Sequence, residues 1–240
     1  MTEREKRVQW FQNARFGMFL HWGLYAIPGR GEWYMSEAKI PAEQYEQYMQ
    51  EFTAKAYDPR DWARRAKRAG MQYVVLTAKH HDGFCLFDSK LTDYKSTNAP
   101  CGRDLVREFV DAVRAEGLRV GLYYSLIDWH HPDFPIDMLH PRRDDPDAYE
   151  QNQGRDMRRY AEYMRNQVTE LLTKDGKISG VKVEAKGKDK KDYTIDAKAV
   201  VLATGGFGAN AKLISSLRPE YKGFATTNQP GALGEGLDLA

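Results

Sequence analysis

The sequence lacks the features that mark several special classes of protein. It has only two cysteines, Cys85 and Cys101, and their spacing matches no zinc-binding or disulfide-framework pattern. A single disulfide between them is an alternative to two free thiols. No apolar run is long enough to cross a bilayer, and residues 1–7 contain no apolar segment of a signal peptide. We therefore expect a protein of the reducing cytoplasm that does not enter a membrane.

The sequence also has no clear excess of either sign of charge. The 36 basic residues nearly balance the 34 acidic ones, which leaves a formal net charge of +2. A balance of this kind predicts neither nucleic acid nor a membrane surface as a partner. With 240 residues, of which 42% are hydrophobic, the chain can form one large α/β domain or two smaller ones.

Three short apolar runs indicate the strands of a parallel sheet, because such strands are buried on both faces. They are residues 16–21, 73–78 and 119–125. Helical patterns lie at 41–52, 58–70, 103–116 and 155–172. The second of these has the clearest ends, with Asp58 as N-cap, Pro59 at the first helical position and Gly70 at the stop. The alternation predicts an α/β fold, and the long loops after the strands favour a partial (β/α) TIM-type barrel.

Polar side chains follow each predicted strand, at the edge where parallel α/β sheets bind ligands. The loop after the first strand adds a carboxylate and an indole. The six candidates are His21, Glu32, Trp33, His80, His81 and Tyr124. Neutral imidazoles, a phenol and an indole suit a sugar, which needs hydrogen bonds to hydroxyls and an aromatic face. The alternative is that these polar side chains end the strands and bind no ligand. A metal site is disfavoured, because adjacent histidines on a strand point to opposite sides.

Four segments carry a resemblance to a known family. They are Phe16-Gly-Met-Phe-Leu-His-Trp-Gly-Leu-Tyr, Gly31-Glu-Trp-Tyr, Tyr73-Val-Val-Leu-Thr-Ala-Lys-His-His-Asp-Gly-Phe and Gly121-Leu-Tyr-Tyr-Ser. Together they make residues 8–170 resemble the amino-terminal half of the alpha-L-fucosidase catalytic domain. The resemblance implies a barrel-type retaining glycosidase that acts on terminal alpha-L-fucose without a cofactor. It also implies that the six candidates hold fucose or the fucose end of an oligosaccharide.

The same resemblance exposes a departure at the catalytic residues. In that family a helix like that at 155–172 leads into a strand that ends in the aspartate nucleophile. Here Gly176-Lys-Ile-Ser-Gly-Val-Lys-Val-Glu184 stands in that place. Retaining hydrolysis needs two carboxyl groups about 5–5.5 Å apart, and neither Asp128 nor Glu184 has the sequence context of either one. We therefore expect sugar binding without turnover, and we assign no catalytic residue.

The remaining residues have a different pattern. Alternating apolar residues at 178–185 and 193–197 predict an antiparallel hairpin, and residues 199–203 form an apolar run before a glycine turn. Residues 199–208 and 226–237 resemble parts of the flavin domain of fumarate reductase-type flavoproteins. That resemblance implies a small α+β segment with six residues near FAD, namely Thr204, Gly205, Gly206, Gly234, Glu235 and Gly236. Glycine turns without a cofactor are the alternative.

These two resemblances lead to a hypothesis about domain organisation. A fucosidase-like half-barrel at 1–168 is joined to a flavoprotein-like fragment at 169–240, which makes the chain a chimera. An FAD-binding oxidoreductase fragment is the competing function. A third alternative has neither activity, and its half-barrel closes by dimerising or leaves an open sheet edge that aggregates.

Overall fold

The computed structural model describes residues 3–173 and two short strands, 180–183 and 193–196. The helices are α1 (Glu3–Ala14), α2 (Tyr34–Glu37), α3 (Ala42–Tyr45), α4 (Pro59–Arg68), α5 (Leu105–Ala115), α6 (Ala148–Gln153) and α7 (Met157–Thr173). The strands are β1 (Gly17–Leu20), β2 (Tyr73–Lys79), β3 (Arg119–Tyr124), β4 (Gly180–Val183) and β5 (Tyr193–Asp196). By compactness the chain divides into two units. The larger one, Ala14–Val201, contains the three-stranded sheet.

The first three strands form one parallel sheet in the order β1-β2-β3. Gly17 lies opposite Tyr73, and Tyr73 lies opposite Arg119, so the amino ends of the strands are aligned. The predicted parallel sheet with intervening helices is confirmed. β4 and β5 pair antiparallel, which confirms the predicted hairpin.

A bulge interrupts the pairing of β2 with β3. Thr77 lies opposite Tyr123, but the next paired residue is Lys79, opposite Tyr124, so Ala78 is an extra residue. A bulge of this kind bends a strand and changes where the following side chains point. The bulge at Ala78 lies two residues before His80 and therefore affects the direction in which the chain leaves β2.

The helix α4 confirms the prediction made from its capping residues, and α5 confirms the helix predicted from its apolar pattern. The Asp58 side chain accepts a hydrogen bond from the Asp61 backbone N–H at 2.9 Å, and Asp104 does the same for Arg107 at 2.9 Å. Gly70 follows α4 with φ +81°, a conformation that favours glycine. Both helices bury apolar residues, including Ala63, Ala66, Leu105, Phe109 and Val113.

The helix predicted at 41–52 is shorter than expected. α3 ends at Tyr45, and residues 46–51 continue as a 3₁₀ helix. Phe52 explains the difference, because its ring packs 5.3 Å from Trp22 and 5.1 Å from Phe84. Its carbonyl also accepts a hydrogen bond from the Cys101 backbone N–H at 3.1 Å. These tertiary contacts outweigh the local preference for a continuous α-helix.

A buried polar network connects α7 to β3 and to the segment after β2. Tyr124 Oη donates to Gln167 Oε1 at 2.6 Å, and Gln167 Nε2 lies 2.8 Å from Tyr163 Oη, 3.2 Å from Ser89 Oγ and 3.2 Å from Cys85 Sγ. A fully bonded network of this kind fixes one arrangement of the elements that it joins. Cys85 and Cys101 are both free thiols, so the disulfide alternative is not found. No helix among the described residues is long and apolar enough to span a membrane.

Candidate functional site

His80 lies at the centre of a group of aromatic rings at the carboxyl edge of the sheet. Its ring centroid is 4.2 Å from His81, 5.4 Å from His21 and 5.5 Å from Tyr123. The Trp33 ring lies 4.7 Å from His81. We call these five side chains the ring cluster. It brings together four of the six residues that the sequence predicted.

Thr77 holds His21 in this arrangement. Its hydroxyl donates to the carbonyl of Trp22 at 2.5 Å and accepts from the Trp22 backbone N–H at 3.2 Å. Because Thr77 is a buried residue of β2, these bonds fix the chain immediately after β1 against the neighbouring strand. His21 itself is exposed, whereas His80 and His81 are buried.

Tyr124 lies outside the ring cluster, and its role in sugar binding stays a prediction. Its hydroxyl is bonded to Gln167 of α7, and the ammonium of Lys79 lies 4.5 Å from the centre of its ring. Successive side chains on a strand point to opposite faces, so Tyr123 reaches the ring cluster and Tyr124 cannot. The sequence Tyr123-Tyr124 offers two identical side chains, and only the strand register distinguishes them.

Trp129 is a neighbour of the ring cluster that sequence reasoning did not select. Its ring lies 5.2 Å from His81 and 5.6 Å from Trp33, and its backbone N–H donates to the His81 carbonyl at 2.8 Å. The indole Nε1 is buried and has no hydrogen-bond partner in the described part of the chain. Its position a few residues beyond the end of β3 was the sequence signal that could have identified Trp129 as a candidate site residue.

The two adjacent histidines are not on opposite sides, so the argument made against a metal from strand alternation was wrong. β2 ends at Lys79, and His80 and His81 follow in a turn that places their rings side by side. Within residues 3–173, however, no group of three or more His, Cys, Asp or Glu side chains is arranged to hold a metal ion.

Burial keeps both histidines neutral. It lowers the pKa of His80 to about 2, with further lowering from His81 and His21. It lowers the pKa of His81 to about 4, and the charge of Lys79 adds to the effect. The Nδ1 atom of His80 is buried without a hydrogen-bond partner in the described residues. Buried polar atoms rarely lack partners, so this one calls for a functional explanation.

Two carboxylates lie near the ring cluster in different surroundings. Glu32 is half-buried, and its charge adds to burial in raising the pKa of Tyr25 and Tyr123. Asp82 is buried, which raises its pKa to about 7, although its Oδ1 accepts from the Phe84 backbone N–H at 3.1 Å. Its Oδ2 has no partner among the described residues. Burial therefore favours the protonated form of Asp82.

Asp128, one of the two carboxylates considered for catalysis, is already engaged. Its Oδ2 lies 2.6 Å from Lys79 Nζ, and its Oδ1 accepts from the backbone N–H groups of His130 and His131 at 3.2 and 3.0 Å. Both ion-pair partners are buried. This arrangement supports a structural role. Glu184 and the six predicted flavin contacts, Thr204, Gly205, Gly206, Gly234, Glu235 and Gly236, lie outside the described residues.

These pKa values predict a pH dependence of stability. Between about pH 6.5 and pH 4 the unfolded chain protonates His80 and His81 while the folded protein leaves them neutral, so the free energy of unfolding falls as pH falls. Asp82 acts in the opposite direction, because its pKa is raised on folding. Two histidines outweigh one aspartate, and we expect a net loss in urea titrations at pH 5 relative to pH 7.5. A His81→Gln variant should show a smaller loss, and an equal loss would contradict this assignment.

Comparisons of the sequence with a family model and with known proteins both identify alpha-L-fucosidases as relatives. The family model of alpha-L-fucosidases matches residues 1–203, which extends beyond the predicted boundary at residue 168. Tissue alpha-L-fucosidase of Rattus norvegicus is 39% identical over 146 residues, which cover 54% of this chain and 32% of that protein. The chain therefore spans about a third of the length of this relative.

Solved structures that resemble this chain belong to the same family. Alpha-L-fucosidase isoenzyme 1 from Paenibacillus thiaminolyticus has 51% identity and a TM-score of 0.71, over 91% of this chain and 49% of that one. An alpha-L-fucosidase from Bacteroides thetaiotaomicron, solved as a trapped covalent intermediate, has 38% identity and a TM-score of 0.60. The match covers 70% of this chain and 38% of that one. None of these matches is a flavoprotein. On the evidence of the family match and the parallel sheet with its ring cluster, the chain belongs to the alpha-L-fucosidase family.

Proposed function

We propose that this chain binds terminal alpha-L-fucose in the ring cluster. The observation that carries the proposal is His80, a buried neutral histidine with an unpartnered Nδ1, surrounded by His21, His81 and Tyr123. The rings supply hydrogen-bonding atoms and aromatic surface, which a deoxy sugar with both hydroxyl groups and apolar carbon atoms requires. Glu32 adds an acceptor for hydroxyl groups nearby.

The proposed chemistry is that of a retaining glycosidase. The Bacteroides relative was trapped as a covalent intermediate in complex with 2-fluoro-fucosyl fluoride, which supports a fucosyl group as the ligand and a covalent route. In this proposal β1, β2 and β3 are strands of a (β/α) barrel, and the carboxyl ends of those strands line the fucose pocket. Fucose and fucosylated oligosaccharides are the proposed partners.

We further propose that the 240-residue chain binds fucose without hydrolysing fucosides. Asp128 is committed to Lys79, and the segment around Glu184 does not resemble the nucleophile strand of the family. An aryl alpha-L-fucoside should therefore be hydrolysed at the background rate. Robust turnover that is lost in the His80→Ala variant would contradict this part of the proposal and leave the binding part intact.

The flavin alternative and the chimera stay predictions, and no observation in the described residues favours them. A yellow purified protein that releases FAD on denaturation would support them. The cytoplasmic location is likewise a proposal, and the two free thiols support it.

The direct test of the proposal is fucose binding measured by calorimetry. Replacing His80 with alanine removes a buried hydrogen-bonding ring from the centre of the ring cluster. We expect a loss of about 1–3 kcal/mol, which raises the Kd for fucose roughly 5- to 150-fold. His131→Ala is the matched control, because His131 packs against Tyr160 and Tyr163. Equal weakening in both variants, or no binding by the wild-type chain, would overturn the proposed function.

A further inference from the structure

Ser125, the residue that follows β3, makes three short polar contacts through one hydroxyl. Its Oγ lies 2.6 Å from the Ile127 carbonyl oxygen, 3.0 Å from the Ile127 backbone nitrogen and 2.6 Å from Nδ1 of His81. Ser125 is buried, so solvent does not share these contacts. A hydroxyl has one proton to donate and two lone pairs to accept with.

The Tyr123 hydroxyl is a further neighbour of the Ser125 side chain, and one arrangement of protons satisfies the three short contacts. The carbonyl of Ile127 can only accept, so the Ser125 proton must point at it. The Ile127 backbone N–H can only donate, so it occupies one lone pair. The remaining lone pair faces His81 Nδ1, which must therefore carry a proton. If Ser125 instead donated its proton to His81, Ser125 Oγ and the Ile127 carbonyl oxygen would lie 2.6 Å apart with no proton between them.

We infer that Ser125 is a positioning residue that holds His81 in the tautomer with the proton on Nδ1, so that Nε2 presents a lone pair to the ligand. In a histidine, the hydrogen bond made by one ring nitrogen usually determines which nitrogen carries the proton, and hence whether the other nitrogen donates or accepts. For the identity of the ligand the inference rests on the proposed function, and the group that Nε2 engages is then a sugar hydroxyl acting as donor.

The surroundings of His81 keep its ring in this orientation. The ring lies between Trp33 at 4.7 Å and Trp129 at 5.2 Å, and the His81 carbonyl accepts from the Trp129 backbone N–H at 2.8 Å. Ser125 is fixed in turn, because its backbone N–H donates to the Lys79 carbonyl at 3.0 Å. Rotation of the imidazole by half a turn would bring a carbon atom against Ser125 Oγ and break the bond.

The tautomer can be measured directly in the wild-type chain. Long-range ¹H–¹⁵N spectra distinguish a protonated ring nitrogen from an unprotonated one, and the chain has only six histidines. A His81→Gln spectrum identifies the resonances of His81. We expect a protonated Nδ1 and an unprotonated Nε2 at neutral pH. A wild-type His81 with its proton on Nε2 would overturn the inference without any mutation.

Substitutions then separate positioning from general stability. Ser125→Ala should move the His81 resonances toward the other tautomer and raise the Kd for fucose about two- to tenfold, the effect of one hydrogen bond. Ser125→Thr keeps the hydroxyl and should retain the wild-type tautomer.

Ser96→Ala is the matched control, because Ser96 is a buried serine whose Oγ donates to the Arg103 carbonyl at 2.7 Å. It should leave both the His81 spectrum and the Kd unchanged. An unchanged tautomer in Ser125→Ala would overturn the inference. If the wild-type chain does not bind fucose, the proposed function fails, and the wild-type spectrum still decides the role of Ser125.

Discussion

Replacing Asp128 with asparagine should lower the free energy of unfolding by about 3–5 kcal/mol, the cost of leaving a buried charge without its partner. Lys79 is fully buried, and its ammonium has Asp128 Oδ2 at 2.6 Å as its anionic partner. Burial is the largest single influence and lowers the pKa of Lys79, but the charge of Asp128 and smaller contributions from Tyr160, Cys85 and the hydrogen bond to Asp128 together outweigh it, and the pKa is raised. An amide cannot supply that charge. Urea unfolding at neutral pH measures the loss.

The double variant Lys79→Met with Asp128→Leu is the matched control. It removes both charges and fills the space with apolar side chains, a change that is often neutral or stabilising elsewhere. We therefore expect it to be more stable than Asp128→Asn alone. A double variant that is less stable than the single one would show that the hydrogen bonds from His130 and His131 to Asp128, rather than the ion pair, dominate.

Gly83→Ala should be the second severe substitution, with a loss of about 2–5 kcal/mol from backbone strain and overpacking together. Gly83 has φ +80°, and a Cβ there would lie 2.4 Å from Asp128 Oδ1 and 2.8 Å from the Cβ of His130. Neither neighbour can withdraw, because Asp128 is held by Lys79 and the contact at His130 is with its Cβ. Thermal or urea unfolding gives the stability, and calorimetry with fucose reports the damage to the site.

Gly70→Ala separates the two contributions. Gly70 has nearly the same conformation, with φ +81°, but a Cβ there would meet nothing within 4 Å. It should lose only the strain of the left-handed conformation, about 1–2 kcal/mol. Similar losses in the two variants would mean that the close approach to Asp128 has no energetic consequence.

Much of this architecture could be predicted from local signals. Asp58, Pro59 and Gly70 defined the ends of α4, because capping depends on neighbouring residues alone. The apolar run that begins at Tyr73 indicated a strand buried on both faces, and its polar ending located the candidate site.

The differences between expectation and structure have one physical origin, which is tertiary contact. The 3₁₀ helix at residues 46–51 follows from the packing of Phe52. The choice between Tyr123 and Tyr124 follows from strand register, and the side-by-side rings of His80 and His81 follow from the exact point at which β2 ends. Trp129 approaches His81 only because the chain turns back after β3. None of these positions is determined by residues adjacent in sequence.

The bulge at Ala78 has a consequence for protein design. The His-His-Asp-Gly-Phe segment contains the most specific signature of the site, and it is short enough to transplant onto another parallel sheet. A host strand with regular pairing would place Lys79 opposite the residue after Tyr124, one step out of phase with the present register. The imidazoles would then leave the strand in a different direction. The smallest unit that can be transferred therefore includes Thr77 and Ala78 as well as the histidines.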